Sequence, residues 1–198
     1  MGKPYKVTID DNLPLFREST PIGMQATEDG SWWPALLEKA YAKMHQNYAR
    51  IEGGLAFESL RVLSGMPVIA HLPMYFKSQY TPEKVSQILE EAQKKNYQVS
   101  AGLFKDYEGL TAGHGYTVVG VDKVKSDDKE VTLVKIKNPW AKERYAGAWS
   151  DEDPKWTNDL KGKVKFDDAK KMRIFWMPIE LFIENFGQFA VVLSEDSW

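Results

Sequence analysis

The sequence predicts an α+β fold, with a helical portion up to about Gly65 and a predominantly antiparallel β portion with flanking helices after it. Three observations carry this. A three-four apolar spacing follows Ser31. Five short β-branched or aromatic runs follow Met66-Pro67, separated by turn formers. Seven Trp, nine Tyr and nine Phe give an aromatic-heavy core suited to sheet packing. The expected domains are therefore residues 1–64 and 65–198.

Tyr5 to Ile9 alternates around Val7 and reads as a short strand ending at Asp10-Asp11-Asn12. Leu13 to Gly30 carries Pro14, Pro21 and Gly23 and reads as loop. Trp33, Leu36, Leu37, Ala40, Tyr41, Met44 and Tyr48 fall on one helical face, with Ser31 as capping residue and Pro34 in the first turn. The Trp32-Trp33 pair reads as a core anchor. Leu55–Leu63 forms a short helix stopped by Ser64-Gly65. A second clear helix runs from Thr81, its N-cap, through Pro82 to about Asn96, with Val85, Ile88, Leu89 and Ala92 as its stripe. The strands are Val99–Phe104, Tyr116–Val121, Val131–Lys137, Ile174–Met177 and Phe189–Leu193. Ser126-Asp127-Asp128-Lys129 joins two of them as a hairpin, and Ile179–Phe186 is a short helix.

Composition excludes several classes of function. With no cysteine, the 198 residues offer neither disulfides nor a thiolate nucleophile. A net charge of −2, from 26 basic and 28 acidic residues, gives no electrostatic case for nucleic acid or an anionic membrane. No stretch approaches the ~18 apolar residues of a spanning helix. The first thirteen residues also lack an apolar signal core, so the cytosol is the expected compartment.

Of three histidines, His45 and His71 have no second ligand at metal spacing and read as structural. His114 differs. It stands in Gly113-His114-Gly115-Tyr116-Thr117-Val118, where flanking glycines let the backbone bend at the head of an apolar strand. Twenty-four residues on, Lys137-Asn138-Pro139-Trp140 places an amide at the end of the next strand. Pairing of those strands brings the two side chains together. An amide oxygen fixes the tautomer of an imidazole that serves a thiol as base and then acid. Trp140 then shields that bond from water. A Gly-rich turn, a structural histidine and an Asn-Pro turn account for the same residues equally well.

The His114 and Asn138 segments resemble those of the calpain family of papain-like cysteine proteases. Trp33-Pro-Ala-Leu-Leu-Glu-Lys-Ala-Tyr-Ala-Lys43 is similar to a calpain helix. Further agreement lies in Val7-Thr-Ile-Asp-Asp-Asn-Leu-Pro14, in Gly147-Ala-Trp-Ser-Asp151 with Trp156, and in Phe175-Trp-Met177. The matches run in family order from about Tyr5 to Leu193. The resemblance implies an incomplete papain-like fold. Residues 1–64 correspond to the end of the cysteine-bearing subdomain, and 65–198 to the His/Asn-bearing β-rich one. His114 and Asn138 are then the catalytic residues present, and Trp140 and Gly113 border the cleft.

Two departures qualify this. In papain-like enzymes the histidine follows the cysteine by roughly 130–150 residues, which from His114 leads to a position before Met1. Ser31, in Gly30-Ser31-Trp32, lies only 83 residues before His114 and on a different helix from the nucleophile's. The resemblance also implies a calcium ion held by acidic residues. Asp151 is retained, but Arg144, Met172 and Ile174 stand at other ligand positions, so no metal or cofactor is expected. The expected function is the His/Asn-bearing part of a cysteine endopeptidase, inactive alone. Its partners are an upstream cysteine-bearing subdomain and a protein or peptide substrate. The alternative is a non-catalytic binding or scaffolding module. The face around His114 and Trp140 is expected to be exposed and partly apolar.

Overall fold

The computed structural model describes residues 4–16, 20–139 and 145–194. The chain divides into two compact units, one up to Gly54 and the other from Leu55 onward. The division precedes the Gly65 expected from texture. The reason is that the helix Ala56–Ser64 (α2) packs on strands of the second unit rather than closing the first. Its C-cap, Gly65, has φ +67°, a left-handed turn that glycine adopts without strain.

In the first unit a two-residue ladder pairs Leu15–Phe16 (β1) with Thr20–Pro21 (β2) inside the segment read as loop. Trp33–Met44 (α1) follows the periodicity, but two local expectations fail. Trp32 occupies the N-cap without a side-chain cap bond, so Ser31 does not cap the helix; its N–H instead donates to Asp29 Oδ1 at 3.0 Å. The tryptophans are not core anchors either, since Trp33 is 61% exposed and Trp32 is also open. The buried residues of α1 are Pro34, Ala35 and Ala42, and Lys39 is half-buried.

Tyr5–Ile9 is not a strand. Its neighbourhood is held by lysine ammonium groups instead of a ladder. Lys43 Nζ donates to Thr8 O at 2.6 Å, and Lys39 Nζ donates to the carbonyls of Asp10 and Asn12 and pairs with the Asp10 carboxylate. Period-two alternation cannot distinguish these two ways of satisfying an extended backbone.

The second unit is built on a six-stranded antiparallel sheet. Its strands are Val68–His71 (β3), Gln98–Leu103 (β4), His114–Ser126 (β5), Lys129–Lys137 (β6), Ile174–Pro178 (β7) and Phe186–Val192 (β8), in the order β3-β8-β4-β5-β6-β7. β3 escaped the sequence reading because only four residues of it pair. The β5–β6 hairpin closes as expected: Ser126 faces Lys129, and Asp127 and Asp128 take φ +49° and +60°. Pro82–Lys94 (α3) begins at Thr81, whose Oγ1 accepts from Lys84 N at 3.3 Å.

Both faces of the sheet are covered. Val85, Leu89 and Ala92 of α3 pack with Ala101, Tyr116, Ile136 and Phe189 on one side. On the other side two helices missed from sequence, Asn158–Val164 (α4) and Phe166–Lys171 (α5), bring Leu160, Val164 and Phe166 onto Leu133 and Trp176. β7 alternates between the two cores: Phe175 and Met177 enter the first, Ile174 and Trp176 the second. The helices α4 and α5 have seven and six residues, too short for a strong periodic signal. Ile179–Asn185 (α6) then leads into β8, which starts three residues earlier than the sequence suggests.

Candidate active site

The residue pair singled out by sequence is brought together by two register relations. His114 opens β5 opposite Leu103 of β4, and Gly113, at φ +70°, turns the chain into the strand while its N–H donates to Leu103 O at 2.7 Å. Any side chain at position 113 would be strained in that left-handed conformation. Asn138 follows the last residue of β6, and its N–H donates to Arg173 O at 3.2 Å, just ahead of β7. With Thr117 paired to Lys137 across β5 and β6, the start of one strand lies beside the end of the other.

The imidazole Nε2 of His114 lies 3.2 Å from Asn138 Oδ1. A carboxamide oxygen only accepts, so Nε2 carries the proton and Nδ1 is the ring nitrogen whose lone pair can take another. Both side chains are buried, His114 at 8% and Asn138 at 3% exposure. The expectation of an open face at this histidine is therefore corrected. The imidazole faces inward beside Tyr116, two residues along the strand and on the same side. Water is largely excluded from the bond, which strengthens it. Trp140, assigned the shielding role, and Arg144 lie outside the described residues.

Tyr116 is the site neighbour that sequence reading passed over. Its ring meets the imidazole edge-on, with centroids 4.7 Å apart and planes at 75°. The i, i+2 relation to His114 on a strand was the available signal. The loop between β4 and β5 is itself tied down. Ala146 N–H donates to Glu108 O at 2.8 Å, Ala112 N–H donates to Asp106 Oδ1 at 2.7 Å, and Tyr107 stacks on Tyr145. Burial foremost, with Tyr107 and Glu108 nearby, pushes the Tyr145 phenol well above its ordinary value; its hydroxyl donates to Ala148 O.

The other histidines stand apart from this pair in sequence and contacts. His71 stacks on Phe189, with centroids 4.5 Å apart, and burial, helped by Lys84, holds its pKa below the ordinary value. His45 packs against Tyr41.

The residues at the implied calcium position do not fit that ion. Asp151 pairs with Lys170 Nζ at 3.6 Å, and Asp153 accepts from the N–H groups of Trp149 and Lys155. Met172 and Ile174 offer no oxygen ligand from their side chains. Calcium needs six to eight oxygens, and the Asp151 carboxylate is already paired with a lysine ammonium.

Residues 1–193 match the calpain family cysteine protease profile, and the chain belongs to that family. It is 31% identical over 202 residues to human Calpain-9, covering 93% of this chain and 28% of that protein. It is 28% identical over 207 residues to rat Calpain-8, covering 99% of this chain and 29% of that protein. To the mouse Calpain-2 catalytic subunit it is 26% identical over 200 residues, covering 96% and 28%. The chain thus spans less than a third of the length of these relatives.

Proposed function

We propose that this chain is the His/Asn-bearing part of a calpain-like cysteine endopeptidase core. The observation that carries the reading is the buried 3.2 Å contact between His114 Nε2 and Asn138 Oδ1. With Nε2–H committed to Asn138, Nδ1 accepts the proton of a cysteine thiol supplied by an upstream segment. The thiolate adds to the carbonyl carbon of a protein or peptide substrate. As the tetrahedral adduct collapses, the imidazolium returns the proton from Nδ1 to the leaving amine, leaving a thioester that water hydrolyses. Asn138 keeps the ring in one tautomer throughout, and Gly113, at φ +70°, allows the bend that presents it.

A cysteine-bearing partner is supported by a second observation. Trp33, Leu37 and Met44 share one face of α1 and are all exposed, an apolar stripe of the kind a partner covers. The charge balance supports neither a nucleic acid nor a membrane partner, and no helix among the described residues is long and apolar enough to cross a membrane.

The test joins the chain to a cysteine-bearing calpain segment and follows cleavage of a peptide. His114→Ala should lower kcat by roughly 10²–10⁴-fold; unchanged turnover removes His114 from the mechanism. A non-catalytic scaffolding role is the second reading, favoured by the Asp151–Lys170 pair at the family's calcium position. A residue other than cysteine at the nucleophile position of the longer protein would decide for it.

A further inference from the structure

We infer that Tyr116 is a positioning residue for the His114 imidazole, holding the ring at the angle from which Nε2 meets Asn138. The inference rests on the His114–Asn138 pairing proposed above. A single hydrogen bond fixes one end of an imidazole but leaves rotation about the Cβ–Cγ bond soft, because that torsion is broad. Ring contacts hold the plane, and Tyr116 supplies one of them. Its ring stands edge-on to the imidazole at 4.7 Å and 75°, a geometry favoured by the aromatic quadrupole.

Tyr116 is itself immobilised. It is fully buried, and Phe186 and Phe175 meet it edge-on at 5.5 Å and 6.5 Å. Its strand position is locked by pairing with Ala101 of β4. The contact with the imidazole is made by the ring, while the hydroxyl lies 3.5 Å from Thr111 O.

The experiment follows exchange of the His114 Nε2–H proton by NMR, in the 198-residue chain labelled with ¹⁵N at histidine, beside exchange of core amides such as Leu133. In the unaltered protein the Nε2–H should give a slowly exchanging resonance. Its absence would overturn the His114–Asn138 pairing and this inference with it. Tyr116→Phe should leave exchange within about twofold. Tyr116→Leu should accelerate Nε2–H exchange at least tenfold more than it accelerates the core amides. Equal acceleration of both means the ring only stabilises the fold, and refutes positioning while leaving the pairing intact. Tyr116→Met, which fills the volume with a flexible thioether, gives the same reading should the leucine variant fail to fold.

Discussion

Removing the acceptor of the His114 bond gives the sharpest test of the site's physics. In Asn138→Ala the backbone bond from residue 138 to Arg173 O survives, and only the carboxamide is lost. The imidazole N–H then stays buried without its partner, since His114 is 8% exposed. Leaving a buried donor unsatisfied costs about 1–3 kcal/mol, against roughly 1 kcal/mol for the net worth of a typical bond. A loss of about 2 kcal/mol lowers Tm by roughly 4–8 °C in a chain of this size. The assay is urea unfolding of Asn138→Ala, His114→Ala and the double variant at pH 8. Once either partner is gone the bond cannot be lost twice. The double variant should therefore fall short of the sum of the singles by about 1 kcal/mol. Strict additivity, within about 0.3 kcal/mol, would show that the two groups are neighbours without an interaction of consequence.

Three further outcomes follow from other parts of the fold. His71 is held below its ordinary pKa by burial, so its neutral form is the one the native state favours. The stability this contributes is complete above about pH 6.5 and is lost as pH falls through the lower native value; unfolding of His71→Phe should lack that acidic slope, measured between pH 5 and 7.5. Asp127 and Asp128 both sit at positive φ in the β5–β6 turn. Asp128→Gly should therefore raise stability by about 0.5–1 kcal/mol in urea titration, and a loss would contradict the turn assignment. Phe166 stacks on Trp176 at 5.3 Å with planes 6° apart and is almost fully buried; Phe166→Ala should cost about 3–5 kcal/mol, read as a shifted midpoint, and a change below 1 kcal/mol would mean that α5 is not part of the folded core.

What the sequence determined by itself is local or strongly periodic. The α3 helix was legible because Thr81, Pro82 and the Val85–Ala92 stripe agree on one answer. The β5–β6 hairpin was legible because turn residues sit between two alternating runs. The same pair of strands placed His114 and Asn138 side by side, since antiparallel register converts a separation of 24 residues into contact. Tertiary structure decided the rest. Whether Tyr5–Ile9 joins a ladder depends on where Lys39 and Lys43 reach, and alternation carries no record of that. The burial of His114 and the Tyr116 ring against it depend on which face of β5 receives α3 and α6. The helices α4 and α5 exist because the far side of β7 presents Ile174 and Trp176 for covering. Periodicity states which residues share a face; only packing states what that face meets.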